Sequence, residues 1–158
     1  MKEQLDSAAR EARPLVPYAA LGTTFVSGFA AMLLAGRDRL PERFAAGDLV
    51  LLALATQRLS RLISRDRVTR PLRAPFTEVE GEDRPVELNE RPRGSGMQQA
   101  IGELISCPYC LDQWIAGGFI GGLVLAPRPT RAVASLFAVV SGSDYLQYLL
   151  RWARAQSE

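Results

Sequence analysis

The two cysteines of the chain, Cys107 and Cys110, form the tetrad CPYC, whose spacing could support two kinds of chemistry. A thiol at the start of a helix is shifted toward the reactive thiolate by the positive end of the helix dipole, as in dithiol enzymes. The same spacing occurs in zinc sites, where two such pairs bind one tetrahedral ion. The chain has no third cysteine and no histidine, so such a zinc site requires both pairs of a dimer. We expect a structural role at a helix entry ahead of either chemistry, and no cofactor.

The segments around the tetrad argue against a glutaredoxin-like enzyme, which needs a strand before the motif and a βαβ frame around it. Here the preceding segment, MQQAIGELIS, places Met97, Ile101, Leu104 and Ile105 on one helical face. This pattern predicts a short amphipathic helix that lies on the membrane surface. The absence of histidine removes the commonest general base, so a non-enzymatic role is expected over an enzymatic one.

Apolar residues are segregated from the charges, and this pattern predicts an all-α fold, a polytopic membrane helical bundle with four spans in two hairpins. The apolar blocks are Pro14–Gly36, Phe44–Ile63, Pro108–Ala126 and Ala132–Leu150. The first block has 23 consecutive residues without a charge, enough for a helix to cross a hydrocarbon core of about 30 Å. Only the short link PRPTR separates the last two blocks, which predicts that they form an antiparallel hairpin.

The second block is the least regular of the four, because polar residues stand near both of its ends. Asp48 lies near its start, and Gln57, Arg58 and Arg61 interrupt its end. We favour a span whose charged ends reach water. The alternative is a buried or interfacial helix.

The distribution of lysine and arginine predicts the orientation of the chain in the membrane. With the N-terminus inside, the cytoplasmic segments hold 14 of the 19 basic residues and the outer loops hold five. We therefore expect both termini of the membrane protein to lie in the cytoplasm. The first 13 residues carry acids among the bases and do not resemble a secretory signal peptide.

Residues 1–158 are expected to form a single membrane domain in which residues 64–98 are a cytoplasmic connecting loop. Within this loop, the segment PFTEVEGEDRPVELNE alternates around an acidic turn that contains glycine. The pattern is compatible with a small β-hairpin or with disorder.

Five charged residues are expected to gather at the cytoplasmic side of the bundle: Arg58, Arg61, Glu103, Asp112 and Asp144. Isolated charges at membrane depth are costly, so we predict that Asp144 and Glu103 face inward and pair with Arg58 or Arg61, near the cysteines. Such a cluster either fixes the register of the helices or forms a small polar pocket.

Four glycines in the third block form two overlapping pairs of small residues four positions apart. These glycines are Gly117, Gly118, Gly121 and Gly122. Small residues at this spacing let helix backbones approach closely, which predicts a packing surface within the bundle or between two protomers.

The strings ATQRLSRLISRDRVTRPLRAPFTEVEG, GELISCPYCLDQW and SGSDYLQ resemble a bacterial family of small membrane proteins of unknown function, domain-of-unknown-function family 1360. The resemblance covers roughly Gly47 to Leu150. It implies an integral protein of a bacterial inner membrane, and it implies no activity.

We interpret the chain as a structural or interaction component of that membrane, with the lipid bilayer as its surroundings and a second copy or another membrane protein as its partner. One alternative is a membrane-bound thiol redox or metal-binding protein that uses Cys107 and Cys110. Another is a channel-forming or lysis-type bundle. Nucleic acid is not an expected partner, because the sequence has no basic stripe interleaved with aromatic residues.

Overall fold

A computed structural model of the protein describes residues 15–80 and 87–156. This part of the chain is 80% helical, which confirms the helical fold class. Its α-helices are α1 (Leu15–Ala35), α2 (Ala46–Arg65), α3 (Arg70–Arg73), α4 (Gly96–Ser106), α5 (Pro108–Leu125) and α6 (Pro127–Ala155). Two short 3₁₀ turns cover Arg37–Arg39 and Arg67–Thr69, and two strands, β1 (Thr77–Val79) and β2 (Glu90–Pro92), form an antiparallel pair.

The boundaries of α5 and α6 follow from prolines in the first turn of each helix, where a missing N–H costs little. Cys107 has extended backbone angles before Pro108, and α5 begins at that proline, as the sequence predicts. The prediction that PRPTR is a link between the two helices is wrong. Those residues form the first turn of α6, so Ala126 alone separates the two helices. Helix α6 therefore begins before the expected Ala132 and continues beyond Leu150 to Ala155.

Two of the described helices, α1 and α6, are long and apolar enough to cross a membrane, judged by length and composition. Helix α2 has the right length, but Asp48, Arg58 and Arg61 lie within it. Helix α5 contains Asp112 in its second turn. Composition alone thus supports two of the four expected spans.

Helix α2 lies at the centre of the bundle and packs against both α5 and α6. The buried core between these helices contains Leu52 and Ala55 of α2, Phe119 and Leu123 of α5, and Ala134 of α6. Ala55 and Ala134 are both fully buried, and their small side chains let α2 and α6 approach closely. Apolar packing therefore holds α2 in place from two sides.

Helix α1 packs on α5, and glycines of α5 make the contact possible. The Phe25 ring lies 5.3 Å from the Trp114 ring, measured between centroids. A Cβ atom on Gly117 would lie 2.9 Å from the Phe25 ring, and one on Gly121 would lie 2.6 Å from Met32 Sδ. These two glycines therefore form the surface on which α1 packs.

The other two glycines of the predicted packing surface have different surroundings. A Cβ atom on Gly122 would lie 2.8 Å from Thr130 Oγ1 in the first turn of α6. A Cβ atom on Gly118 would meet nothing within 4 Å, so Gly118 is not part of the packing surface between the described helices.

The connection between α2 and α4 is folded rather than an extended loop. Thr77 pairs with Pro92 and Val79 pairs with Glu90, which confirms a small β-hairpin, although its predicted acidic turn falls outside the described residues. The hairpin packs on α4: a Cβ atom on Gly102 would overlap the Phe76 carbonyl oxygen and the Pro92 ring. Helix α4 confirms the short helix predicted before the tetrad.

Candidate functional site

The C-terminal end of α2 is closed by a buried arginine, Arg73, whose side chain is fully buried. Its Nη1 atom donates to the carbonyl oxygen of Ile63 at 2.5 Å and to that of Asp66 at 3.1 Å. The same atom donates to Thr69 Oγ1 at 2.7 Å. Because the last carbonyl groups of a helix have no partner within it, the Arg73 side chain acts as a C-terminal cap for α2.

The charge of Arg73 is balanced by Glu90 of β2, which is also almost completely buried. Arg73 Nε lies 2.7 Å and Nη2 lies 3.3 Å from the two carboxylate oxygens, a bidentate geometry. Thr77 Oγ1 donates to Glu90 Oε2 at 2.9 Å or to the Arg73 carbonyl oxygen at 3.0 Å. This network fixes the β-hairpin against the end of α2.

Next to this network, charged side chains of α2, of α6 and of the connection form a cluster that we call the polar rim. Its members are Arg58, Arg61, Asp66, Glu87 and Asp144. Arg58 lies between two carboxylates: its Nη2 atom is 3.2 Å from Asp66 and its Nε atom is 3.6 Å from Asp144. Arg61 forms an ion pair with Glu87. The polar rim lines a cavity of about 440 Å³, together with Tyr145, Tyr148 and Arg151.

The polar rim brings together three of the five predicted network residues, and the other two have different surroundings. Glu103 accepts a hydrogen bond of 2.6 Å from Tyr18 Oη and one of 3.2 Å from Gln99 Nε2. These partners replace the expected Arg58 or Arg61, because Glu103 faces the start of α1 from the middle of α4. The prediction for Glu103 is therefore corrected.

Asp112, the fifth predicted residue, lies in α5 and lines two cavities that both reach Gln57. Its Oδ1 atom is buried and has no hydrogen-bond partner among the described residues. Gln57 in turn accepts a hydrogen bond of 3.1 Å from Ser141 of α6. The polar side chains of Gln57 and Asp112 thus lie at the boundary between the polar end and the apolar part of the bundle.

The two cysteines lie at the same end of the bundle, at the start of α5. Cys107 caps the helix, because its Sγ atom accepts a hydrogen bond of 3.3 Å from the Cys110 N–H group. The two Sγ atoms are 2.7 Å apart, and both thiols are free. No group of three or more His, Cys, Asp or Glu side chains able to hold a metal ion occurs within residues 15–80 and 87–156. The pair is placed to form a disulfide or to supply two of the four ligands of a soft metal.

The opposite end of the bundle carries an ion pair of its own. Asp48 at the start of α2 accepts hydrogen bonds of 2.8 and 2.7 Å from Arg131 near the start of α6. Close by, Arg39 Nη1 lies 3.3 Å from the carbonyl oxygen of Leu125 at the end of α5. The charge near the start of α2 therefore has a partner from another helix.

The sequence interpretation missed the pair of Arg73 and Glu90, and it missed Asp66 and Glu87 in the polar rim. All four residues lie in the segment expected to be a loop. Arg73 and Asp66 belong to the string SRDRVTRPLRAPFTEVEG, which was used only for the family resemblance. An arginine that follows a helix end by a few residues, with prolines around it, is the pattern from which a folded connection could have been predicted.

The arrangement of Arg73, the polar rim and the CPYC tetrad falls within the part of the chain that resembles known proteins. Residues 51–150 match the profile of the family described as "Protein of unknown function (DUF1360)". The chain belongs to this family. The DUF1360 match begins within α2 and ends within α6, so α1 lies outside it.

A curated relative of this DUF1360 protein is the sporulation protein YjcA of Bacillus subtilis (strain 168). The two proteins are 33% identical over 108 residues, which is 66% of this chain and 92% of the relative. No solved structure matches the chain. The comparisons confirm the predicted resemblance to a family of unknown function.

Proposed function

We propose that this DUF1360 protein is an integral component of a bacterial cytoplasmic membrane. Its helices α1, α2, α5 and α6 cross the bilayer as two hairpins, and both termini and the polar rim are in the cytoplasm. It acts as a structural or interaction component there. The observation that carries the proposal is the apolar outer surface of the bundle, described next.

Large apolar side chains are exposed along the outer faces of three helices. They are Leu15, Val16, Val26 and Leu34 of α1, Leu49 and Val50 of α2, and Val133, Leu136, Val139 and Leu146 of α6. Large apolar side chains exposed on the outer faces of several helices mark an interaction surface, and they suit lipid chains.

Helix α2 supports the proposal although charges lower its hydropathy. Three of its charges form ion pairs near the ends of the helix: Asp48 with Arg131, Arg58 with Asp66, and Arg61 with Glu87. The fourth, Arg65, is the last residue of the helix. Of its uncharged polar residues, Thr56, Ser60 and Ser64 are buried inside the bundle, and Gln57 is half-buried and accepts a hydrogen bond from Ser141. The lipid-facing middle of α2 therefore stays apolar, as a spanning helix requires.

The contacts at the two ends support the hairpin arrangement. Arg39, which follows α1, contacts the end of α5, and the start of α2 contacts the start of α6. At the other end, Tyr18 of α1 contacts α4, and Arg58 of α2 contacts Asp144 of α6. These contacts support an antiparallel arrangement of α1 with α2 and of α5 with α6.

The relative in Bacillus subtilis is named a sporulation protein. The proposal therefore includes a role for this chain in the membrane of a sporulating cell. The folded polar end, with its β-hairpin and polar rim, is the surface through which a partner would be held.

Extraction of cell membranes with alkaline carbonate tests the proposal. The full chain is expected to stay in the pellet after carbonate and to enter the supernatant only with detergent. A matched variant with three exposed apolar residues of α6 changed, Leu136→Lys, Val139→Lys and Leu146→Lys, is expected to lose membrane insertion, because each lysine at that depth costs about 3 kcal/mol. Release of the unchanged chain by carbonate would contradict the proposal.

The proximity of the two thiols favours one second candidate, a dithiol that exchanges with a partner's disulfide. One cysteine thiolate attacks the partner's disulfide, the second cysteine resolves the mixed disulfide, and the partner leaves with two thiols while Cys107 and Cys110 become joined. Incubation of the reduced protein with a model disulfide tests this candidate. Release of two thiols per chain, reduced to one in Cys107→Ser and in Cys110→Ser because the mixed disulfide is no longer resolved, supports it, and no release contradicts it.

A further inference from the structure

A groove of about 650 Å³ lies between α1, α2 and α5 and opens on the outer surface of the bundle. Apolar side chains form most of its wall: Phe25 and Phe29 from α1, Leu49 and Leu52 from α2, and Ile120 from α5. In the proposed membrane orientation this wall lies at the depth of the acyl chains. A groove with these dimensions and lining suits a hydrocarbon chain.

One end of the groove is polar, because Gln57 and Asp112 belong to its lining. The same two residues also line an adjoining cavity of about 420 Å³, whose wall includes Arg65 and the ion pair of Arg61 with Glu87. Gln57, Arg61 and Arg65 follow each other at steps of four residues, about 6 Å apart along α2. The order from the groove toward the cytoplasmic end is therefore apolar wall, Asp112 with Gln57, and then the arginines.

Two groups along this path lack the partner that their chemistry favours. The buried Oδ1 atom of Asp112 has no hydrogen-bond donor among the described residues, which is costly for a carboxylate oxygen. The guanidinium of Arg65 donates to the neutral side-chain oxygen of Asn89 at 3.2 Å and makes no described ion pair with a carboxylate. A ligand with a hydroxyl donor next to an acyl chain, followed by a phosphate, would complement both groups.

We infer that the groove binds a monoacyl glycerophospholipid. Its acyl chain occupies the apolar wall, the free glycerol hydroxyl donates to Asp112, and the phosphate accepts from Arg65. The hydroxyl of such a lipid stands between the chain and the phosphate, in the same order as the protein groups. A diacyl phospholipid lacks that hydroxyl and has a second chain for which the groove has no further wall.

The inference rests on the proposed membrane orientation, but its test does not. The full chain, purified in detergent, is titrated with 1-palmitoyl lysophosphatidic acid and with hexadecyl phosphate, and bound lipid is measured by native mass spectrometry. The two probes share a 16-carbon chain and a phosphate, and only the first has a glycerol hydroxyl. We expect the first to bind about tenfold more tightly or better, from one hydrogen bond to a charged group.

Variants of Asp112 and Arg65 test which residues cause the preference for the probe with the glycerol hydroxyl. Asp112→Ala is expected to bind both probes equally, and Arg65→Gln is expected to weaken both about tenfold. Arg70→Gln, at an exposed residue of α3 at the same end, is the matched control and should change neither. Asp112→Asn keeps the size of the side chain and replaces the alanine variant if that variant unfolds. Its preference for lysophosphatidic acid over hexadecyl phosphate should also be smaller than that of the unchanged protein.

Equal binding of the two probes to the unchanged protein would overturn the inference, as would a preference that survives Asp112→Ala and Asp112→Asn. Such results would indicate lipid that coats any apolar surface without selection. Failure of carbonate retention, by contrast, would contradict the membrane proposal and leave the binding result standing. The two failures can therefore be told apart.

Discussion

The buried pair of Arg73 and Glu90 predicts a large loss of stability in Glu90→Gln. Both side chains are almost completely buried, with exposed fractions of 0% and 2%. The substitution keeps the shape of the side chain and removes its charge, which leaves the Arg73 cation buried without an anion. Breaking a buried pair in this way costs about 3–5 kcal/mol. That is a large share of the roughly 5–15 kcal/mol that holds a typical domain folded.

Thermal unfolding of the detergent-solubilised protein measures this loss. For a chain of this length, each kcal/mol corresponds to a shift of about 2–4 °C, so Tm should fall by about 6–20 °C. The matched control is Glu78→Gln, which removes the carboxylate of the exposed pair between Glu78 and Arg91 on the same hairpin. Its effect should stay within about 1 kcal/mol, because water already solvates both groups.

A double-mutant cycle separates the charge pair from the capping role of Arg73. The double variant Arg73→Met with Glu90→Met leaves no buried charge without a partner. Its loss of unfolding free energy should therefore be smaller than the sum of the losses in the two single variants, by about 0.5–3 kcal/mol. It should still be less stable than the unchanged protein, because the carbonyl groups of Ile63 and Asp66 lose their donor. Equal shifts for Glu90→Gln and Glu78→Gln, or strict additivity in the cycle, would refute this reasoning.

Three further perturbations test other parts of the structure. Gly117→Leu should separate α1 from α5 and cost about 1–3 kcal/mol by overpacking, whereas Gly118→Leu, facing open space, should be tolerated; equal unfolding temperatures would contradict the packing described. Treatment with diamide should join Cys107 and Cys110 within one chain, measured by the loss of maleimide labelling without dimers on a gel, whereas crosslinked dimers would argue against the pairing within one chain. Arg58→Gln should lower Tm, since two carboxylates of the polar rim lose their shared cation, and an unchanged Tm would show that the ion pairs contribute no net stability.

Local features of the fold could be predicted from the sequence because they depend on neighbouring residues. Pro108 sets the start of α5 by restricting Cys107. The alternation over residues 75–90 is compatible with a hairpin or with disorder, and the structure has the paired strands. The prolines of PRPTR were misinterpreted, since the same residue type can end a helix or begin one. That these prolines begin α6 depends on how closely α5 and α6 pack.

The candidate site could be predicted only in part because its contacts join distant segments. The spacing of charges placed Arg58 and Asp144 at the same end, and the structure brings them to 3.6 Å. The contact between Tyr18 and Glu103 joins residues 85 positions apart, and its existence depends on how α4 is rotated against α1. The pair of Arg73 and Glu90 forms only once the hairpin folds onto the end of α2.

The membrane orientation of the bundle is tested most directly by labelling of cysteines with an impermeant maleimide. Three chains are compared in intact cells and in inverted membrane vesicles: the unchanged protein, a cysteine-free variant, and that variant with Asp38→Cys in the turn after α1. Asp38→Cys is expected to react in intact cells, and Cys107 and Cys110 are expected to react only in inverted vesicles. Reaction of Cys107 or Cys110 in intact cells would contradict the proposed orientation, as would protection of Asp38→Cys there.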